Sequence, residues 1–175
     1  MDAKAKKPPI PVEIEPLDRQ HDRGAFSCGE PRIDNFCRNN ARRDHEAYKV
    51  RIFVAVRPGT KIVLGFYSLV LAALAPEEVS EGAQEKFARV NAVPAIYLAM
   101  IGVTEGCKEC TIGEQLMRDA LNRALMISEH AGAYAISLDA LDERVAAYYT
   151  KLGFEPFTEG NLKMFLPLHQ IRSST

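Results

Sequence analysis

The feature that most constrains the fold is a long apolar segment that is followed, after a short loop, by an amphipathic one. Residues 95–103 are nearly all apolar, which is typical of a strand buried on both faces. Residues 111–130 then place apolar side chains along one helical stripe, formed by Ile112, Leu116, Met117, Ala120, Leu121, Ala124 and Leu125. Gly132 follows as a stop signal. The sequence therefore predicts a buried strand that leads into the clearest helix of the chain.

The other elements follow from periodicity and from turn residues. We expect further strands at 10–16, 51–56, 61–71, 133–139, 154–157 and 164–168. We expect further helices at 27–40, at 142–152 and, with a loop, within 76–90. Pro58-Gly59 predicts an antiparallel hairpin between the second and third strands. Asp142 is placed to cap a helix that Gly153 ends.

The order of these elements predicts an α+β fold, a mixed sheet with helices on both faces. The prolines of the first strand favour a position at the edge of the sheet. A length of 175 residues suits one domain with a real core. We expect a single domain at 10–169, a flexible N-terminus at 1–9 and a C-terminal tail at 170–175.

Charge and hydropathy limit the partners of the chain. The formal net charge is −1, so any RNA contact needs a local basic patch rather than an overall field. The charged segment 39–51 contains Arg42, Arg43, Lys49 and Arg51, and a solvated face explains them as well as an RNA contact does. The first residues are charged and proline-rich, unlike a signal peptide, and no apolar stretch is long enough for a membrane span. We therefore expect a cytoplasmic protein.

The four cysteines are Cys28, Cys37, Cys107 and Cys110. In a cytoplasmic chain we expect them to be reduced. Cys107 and Cys110 have the C-x-x-C spacing of half a zinc site, but Cys28 and Cys37 lack the tight spacing that a second half would need. We therefore predict four free thiols and no metal.

Two features have residue types suited to chemistry. The N-terminus of the helix at 111–130 presents N–H groups that can hold a phosphate, although a capping box of Thr111 and Glu114 explains the same residues. Tyr148-Tyr149 lies near the end of the last helix, and a tyrosine hydroxyl can act as a general acid. An amphipathic tyrosine in the core is the alternative, because buried tyrosines are common.

Three sets of residues resemble a known family, in its order and spacing. The first is Phe26-Ser-Cys28-Gly29 followed by Ile33-Asp34-Asn-Phe36. The second is Val93-Pro94-Ala-Ile-Tyr-Leu98, which leads to Ile101-Gly-Val103. The third is Leu138-Asp139-Ala140-Leu-Asp142-Glu followed by Tyr148-Tyr149-x-x-Leu152-Gly153-Phe154. Together they resemble the GNAT superfamily of N-acetyltransferases, in its branch of toxin–antitoxin toxins that acetylate aminoacyl-tRNA.

This resemblance implies a mostly antiparallel, bent mixed sheet with a cofactor gap between the central strands 95–103 and 133–139. Acetyl-CoA would be the co-substrate, with its pantetheine arm on the backbone of Ile101, Gly102 and Val103. Its pyrophosphate would lie on a loop and helix start made of Lys108, Glu109, Cys110, Thr111, Ile112, Gly113 and Glu114. Tyr149 would protonate the departing thiolate. Asp139 also belongs to this implied site, and it and an ordered water are both candidates for the general base.

The resemblance also implies the acceptor and the partners. The acceptor would be the α-amine of an amino acid on tRNA, which attacks acetyl-CoA directly, and the acetylated product blocks translation. The expected partners are a second copy of the chain and a ribbon–helix–helix antitoxin. Arg42, Arg43, Lys49 and Arg51 would then form a surface that faces the tRNA.

The chain departs from the family pattern in its phosphate loop. The family has Q/R-G-x-G-x-G/A where this chain has 108–113. Lys108 keeps a positive charge and Gly113 is retained, but Glu109 and Thr111 replace two glycines. Glycine permits φ > 0 and a close approach to phosphate, whereas Thr111 is β-branched and Glu109 brings a like charge.

A second departure is Met100, which stands where this branch often has arginine. Two other functions therefore stay open at this stage. One is an acetyltransferase whose acceptor is a protein lysine, a polyamine or a small amine. The other is a non-catalytic module that only binds a partner.

Overall fold

The computed structural model describes residues 8–172, which form a mixed seven-stranded sheet in the order β1-β2-β3-β4-β5-β7-β6. The strands are β1 Glu13–Pro16, β2 Arg51–Val56, β3 Val63–Leu74, β4 Val93–Val103, β5 Ala135–Asp139, β6 Glu155–Pro156 and β7 Lys163–Pro167. The helices are α1 Pro31–Asn35, α2 Ala41–Glu46, α3 Glu81–Phe87, α4 Ile112–His130, α5 Glu143–Lys151 and α6 Leu168–Arg172. A π-helical segment, Phe36–Asn40, joins α1 to α2. The predicted α+β class is confirmed.

The chain divides into two compact units. The first contains the described residues up to 69 together with 100–120, and the second contains 70–99 together with the described residues from 121. β3, β4 and α4 each contribute to both units. A single domain at 10–169 stays a prediction, and the predicted flexible N-terminus lies mostly outside the described residues.

In the first unit, β1, β2 and β3 are antiparallel neighbours. The predicted hairpin is confirmed, and Gly59 turns between its strands with a φ of 77°. β1 lies at the edge of the sheet, as its prolines predict, but it begins only at Glu13. The preceding Ile10 is held elsewhere, because its carbonyl accepts a hydrogen bond of 3.2 Å from the Gln115 side chain.

The helical region of the first unit is longer than the predicted 27–40. It begins at α1 and continues through the π-helical segment into α2. Four of its buried residues, Ile33, Cys37, Ala41 and His45, are spaced by four. In a regular α-helix such a stripe turns around the axis, and the wider turn of the π-helical segment keeps it on one face. The sequence pattern missed α2 for this reason.

The core of the first unit joins this helical region to the sheet. Phe66 of β3 meets Phe26 edge-on, with 5.3 Å between ring centroids, and stacks with Phe36 at 6.3 Å. Met100, which stands where the family often has arginine, is half-buried against the same core. An apolar side chain at this position therefore contributes to packing.

In the second unit, β4 and β5 pair in parallel from Ala95↔Ala135 to Leu98↔Leu138. β7 pairs antiparallel with both β5 and β6, which confirms the predicted final hairpin. Burial of 95–103 on both faces was predicted, but this is wrong for Tyr97 and for 99–103, which are half-buried. The pairing with β5 covers only the first part of β4.

The C-terminal residues 170–172 were predicted to be a tail, but they form the end of α6. Leu168 anchors this helix because its side chain is buried and its amide donates to the Tyr134 carbonyl at 2.9 Å. None of the helices within 8–172 has the length and apolar character to cross a membrane.

Candidate active site

The predicted pantetheine strand, at the end of β4, packs against the first set of family-like residues, 26–29 and 33–36. We call this set the N-terminal signature. A Cβ atom built on Gly102 would lie 3.3 Å from Cζ of Phe26, 3.2 Å from Cγ2 of Ile33 and 3.5 Å from Sγ of Cys28. An added Cβ would therefore crowd Phe26 and Ile33, and a glycine lets these side chains approach the strand closely. The motifs at 26–36 and 101–103 are separate in the sequence, and the structure shows that they pack together.

Asp34 organises the signature loop. Its Oδ1 accepts a hydrogen bond of 2.6 Å from the Cys28 amide, and its Oδ2 accepts one of 3.5 Å from the Ser27 hydroxyl. Burial alone raises the pKa of Asp34, but hydrogen bonds from Cys28 and from the Gly29 amide outweigh burial and hold that pKa below its usual value. The side chain is therefore a buried carboxylate that fixes the backbone around it.

The loop at 26–29 also contacts the turn that precedes the candidate phosphate loop. The Ser27 carbonyl accepts from the Glu105 amide at 2.9 Å and from the Thr104 hydroxyl at 3.3 Å. Gly29 has a φ of 90°, and a Cβ there would stand 2.8 Å from Oε1 of Glu105 and 3.5 Å from Nζ of Lys108. Glycine is therefore favoured at this left-handed φ, and an added Cβ would also displace the end of the Glu105 side chain.

A 3-10 turn at Glu105–Cys107 lies between β4 and the candidate phosphate loop at 108–114. Lys108 and Glu109 are exposed. Within residues 8–172 the one non-glycine residue with positive φ is Tyr48, so neither Glu109 nor Thr111 adopts the left-handed conformation. The loss of two glycines therefore causes no backbone strain here, and the expected conflict between Thr111 and a glycine conformation does not arise.

Not all of the predicted cofactor residues can present side chains. Cys110 and Ile112 are buried, so only their backbone is available, whereas Glu114 is exposed. The Thr111 hydroxyl accepts from the Gln115 side chain at 3.4 Å. A Cβ on Gly113 would be 3.7 Å from Cγ2 of Val103, an ordinary contact. The start of α4 thus lies beside the end of β4.

The cysteines are free and buried, which confirms the prediction of unpaired thiols. Burial raises the pKa of Cys28 to about 11 and that of Cys37 to about 12, so both are protonated near neutral pH. In the part of the chain that the structure describes, no group of three or more potential ligands is placed to hold a metal ion.

Tyr149 lies in the last turn of α5. The predicted cap of this helix is confirmed, because Asp142 accepts a hydrogen bond of 2.8 Å from the Val145 amide. The Tyr149 ring contacts those of Tyr148 and Phe154, at centroid distances of 5.4 and 5.6 Å. Burial, with a smaller contribution from Tyr148, raises the pKa of Tyr149 to about 12. Its hydroxyl therefore carries a proton throughout the physiological pH range.

Asp139 is the exposed last residue of β5. Its Oδ2 accepts a hydrogen bond of 2.5 Å from the hydroxyl of Tyr97, on the neighbouring strand β4. Sequence reasoning missed Tyr97, because the contact depends on the register between two strands that are far apart in the chain. The apolar pattern of β4 does not indicate that the Tyr97 hydroxyl has Asp139 as its partner.

The four predicted RNA-facing cations are exposed. Arg43 and Lys49 both approach Asp44, with nitrogen–oxygen distances of 3.1 and 3.6 Å. The Arg51 guanidinium lies 5.1 Å from the ring centroid of Tyr48. Arg42, on α2, completes the group. Arg51 therefore lies against a tyrosine that sequence reasoning did not select, and Arg43 and Lys49 share one carboxylate.

Comparison with known proteins gives relatives that match along nearly the whole chain. The chain is 33% identical over 168 residues to a protein of Sinorhizobium fredii named probable toxin TacT, covering 91% of this chain and 93% of that protein. It is 29% identical over 149 residues to a tRNA-acetylating toxin of Mycobacterium tuberculosis, covering 85% of this chain and 87% of that toxin. No family model matches the sequence.

Solved structures of the toxin AtaT share the fold. AtaT complexed with acetyl-methionyl-tRNAfMet superposes with a TM-score of 0.86 at 24% identity, covering 94% of this chain and 99% of that one. A tyrosine-to-phenylalanine mutant of AtaT, bound to acetyl-CoA and the C-terminus of the antitoxin AtaR, gives a TM-score of 0.79 at 23% identity, covering 93% of this chain and 97% of that one.

Proposed function

Because this chain belongs to the family of GNAT acetyltransferase toxins of toxin–antitoxin systems, we propose that it transfers the acetyl group of acetyl-CoA to the α-amine of an aminoacyl-tRNA. The observation that carries this proposal is the match to probable toxin TacT, which extends over nearly all of both chains. An acetylated α-amine cannot act as the nucleophile in peptide-bond formation. Translation therefore stops, which makes the enzyme a toxin.

We assign the pyrophosphate of acetyl-CoA to the start of α4. The amides of Cys110 and Ile112 already donate to the carbonyls of Cys107 and Cys110. The amides of Thr111 and Gly113 are therefore the backbone donors that we assign to the phosphates, at the positive end of a long helix dipole. Exposed Lys108 supplies a positive charge. These groups fit a diphosphate, which needs hydrogen-bond donors and cations.

The pantetheine arm is assigned to the backbone of Ile101, Gly102 and Val103. These residues are half-buried, so they can be reached by a ligand, and they lie beyond the part of β4 that pairs with β5. A strand edge binds an extended amide chain by main-chain hydrogen bonds. The packing of Phe26 and Ile33 behind Gly102 holds this backbone in place.

Tyr149 is assigned as the general acid. When the amine nitrogen bonds to the acetyl carbon, the carbon–sulfur bond breaks and the sulfur leaves with a negative charge. Tyr149 donates a hydrogen bond and then its proton to that sulfur. Its hydroxyl is protonated at neutral pH, as a proton donor must be. The acyl group passes directly to the amine, so no covalent enzyme intermediate forms.

The attacking amine must lose a proton, and the base that takes it stays open between Asp139 and an ordered water. Asp139 is exposed and is oriented by the hydrogen bond from Tyr97. One of its oxygens accepts from that tyrosine, and the other is the candidate proton acceptor. Loss of the α-amine proton together with donation by Tyr149 balances the reaction.

The remaining features of the toxin family complete the proposal. We expect a single catalytic domain, a cytoplasmic location where aminoacyl-tRNA is found, a homodimer, and neutralisation by a ribbon–helix–helix antitoxin. Arg42, Arg43, Lys49 and Arg51 are proposed to contact the tRNA. Support comes from their exposure and from the solved complexes of AtaT with acetyl-methionyl-tRNA and with its antitoxin.

The test is transfer of labelled acetyl from acetyl-CoA to total aminoacylated tRNA by the purified protein. We expect label on aminoacyl-tRNA, none on deacylated tRNA, and none on aminoacyl-tRNA whose α-amine is already formylated. Tyr149→Phe should lower the rate about 10²–10⁴-fold, the usual contribution of general acid catalysis. Cell-free translation should stop with the wild type and continue with the variant.

Two outcomes would contradict the proposal in different ways. Label on polyamines or lysine peptides, but not on aminoacyl-tRNA, would leave an acetyltransferase with another acceptor. No heat of binding when millimolar acetyl-CoA is titrated by calorimetry would leave a partner-binding module without catalysis.

A further inference from the structure

Tyr48 occupies a backbone position that helices normally give to glycine. Just after α2, the amides of Tyr48 and Lys49 donate to the carbonyls of His45 and Asp44, at 3.2 and 3.0 Å. This pair of hydrogen bonds is a Schellman motif, whose left-handed residue is usually glycine. Tyr48 fills it with a φ of 57°. A side chain is unfavourable at such a φ, so a glycine would give a more stable turn.

The ring that is held in this unfavourable position is exposed. Tyr48 is 81% accessible, the highest value among the exposed large apolar side chains of the described residues. Arg51 lies against the ring, with its guanidinium carbon 5.1 Å from the centroid. Arg51 is itself oriented by a hydrogen bond of 3.5 Å from its guanidinium to the His45 carbonyl. One side of the ring is therefore supported by a cation, while much of the ring remains open.

The surroundings of the ring are basic. Between 41 and 51 the chain has the cations Arg42, Arg43, Lys49 and Arg51 against two carboxylates. Asp44 partly neutralises Arg43 and Lys49. The segment is positively charged on balance, in a chain whose formal net charge is −1. We call these four cations and Tyr48 the Tyr48 patch.

We propose that the Tyr48 patch holds the RNA substrate by stacking an unpaired nucleobase on the open face of Tyr48, while the flanking cations contact phosphates. Bases stack on aromatic side chains without regard to sequence, and an arginine on the opposite face strengthens the platform. Phosphates prefer clustered arginine and lysine. This inference rests on the proposed function, which supplies RNA as the substrate class, and it adds Tyr48 as a binding residue.

The test compares binding of fluorescently labelled deacylated tRNA over a series of salt concentrations. Tyr48→Ala and Tyr48→Gly should each weaken binding about tenfold or more, because base stacking on an aromatic is lost. The slope of log affinity against log salt should stay unchanged, since no phosphate contact is removed. Tyr48→Phe should bind like the wild type. Arg42→Ala, the matched control, should reduce the slope by about one.

Tyr48→Gly also guards against a folding artefact. Glycine suits the left-handed position, so this variant should melt at a higher temperature than the wild type while binding tRNA more weakly. Wild-type tRNA affinity in both Tyr48→Ala and Tyr48→Gly would overturn the proposal. A reduced salt slope in these variants would also overturn it. So would variants that dissociate into monomers, as measured by light scattering, while their affinity for tRNA stays unchanged.

The acetylation assay separates this inference from the proposed function. We expect Tyr48→Ala to raise the KM for aminoacyl-tRNA and leave the KM for acetyl-CoA unchanged. If the wild type acetylates aminoacyl-tRNA and Tyr48→Ala has an unchanged KM for it, only the stacking role fails. If the wild type transfers no acetyl group, the proposed function fails, and the tRNA titration still decides whether the patch binds RNA.

Discussion

Gly102 of β4 lies directly against Phe26, since a Cβ atom on the glycine would be only 3.3 Å from the end of the aromatic ring. The N-terminal signature of the chain therefore acts on the candidate cofactor strand by packing. Asp34 fixes the backbone of this signature, because its carboxylate accepts a hydrogen bond of 2.6 Å from the Cys28 amide. The N-terminal signature thus shapes the strand that is proposed to bind pantetheine.

The first prediction concerns this contact. Gly102→Ala should lower the free energy of unfolding by about 1–3 kcal/mol, because the added methyl group overpacks the region around Phe26 and Ile33. It should also weaken acetyl-CoA binding. Gly82→Ala is the control, since a Cβ there meets nothing within 4 Å and the residue lies in α3, where alanine is favoured over glycine. Equal urea midpoints for Gly102→Ala and the wild type would contradict the packing argument.

The second prediction concerns His45. Burial lowers the pKa of His45, and the nearby charge of Arg51 lowers it further. Its Nδ1 accepts a hydrogen bond of 2.9 Å from the Ile52 amide, which requires the neutral ring. Below about pH 6.5 the unfolded chain binds the proton more readily than the folded one, so stability should fall as the pH drops from there toward the lowered pKa.

His45→Asn is the matched variant for this prediction, because its side-chain oxygen can accept from the Ile52 amide but does not titrate. Urea unfolding above and below about pH 6.5 should show a smaller loss of stability in His45→Asn than in the wild type. The same loss in both proteins would show that other groups cause it.

The third prediction concerns the pH dependence of catalysis. With its pKa raised to about 12, Tyr149 stays protonated from neutral pH to about pH 10. As a proton donor it should therefore cause no loss of kcat in that range. Tyr149→Phe should lower kcat by a similar factor at every pH and leave the shape of the profile unchanged. A wild-type alkaline limb near pH 10 that disappears in Tyr149→Phe would show that the phenol ionises earlier.

The fourth prediction separates charge from backbone in the phosphate loop. Glu109 is exposed and does not have positive φ, so its carboxylate, rather than the lack of a glycine, should be what opposes the pyrophosphate. Glu109→Gln should strengthen acetyl-CoA binding several-fold, and Glu109→Gly should give no larger gain. Calorimetric titration decides between them. A large gain for glycine alone would mean that the bound loop needs a conformation that only glycine adopts.

Local signals predicted much of this fold. The bounds of β2 agree with the sequence pattern, because the Pro58-Gly59 turn ends this strand and a charged segment precedes it. The cap at Asp142 was predicted because a short carboxylate side chain just before a helix can accept hydrogen bonds from the first free amides of that helix. Such signals depend on neighbours in the sequence, and so they can be found in a single chain.

Non-local features escaped prediction. The partnership of Tyr97 with Asp139 needs the register between β4 and β5, which no local pattern provides. α2 was missed because a π-helical segment changes the period within its apolar stripe. The left-handed Tyr48 was missed because the expected residue at a helix end is glycine, and a tyrosine gives no such signal.

The backbone conformation of the candidate phosphate loop does not depend on glycine. Because Glu109 and Thr111 hold their backbone at negative φ, the conformation of this loop can be reached by almost any residue. If acetyl-CoA binds to the loop in this conformation, the glycine fingerprint is one solution to diphosphate binding rather than a condition for it. Searches that demand those glycines would overlook enzymes whose loops are built this way. A search based on the packing of the N-terminal signature against the strand before the loop would find them.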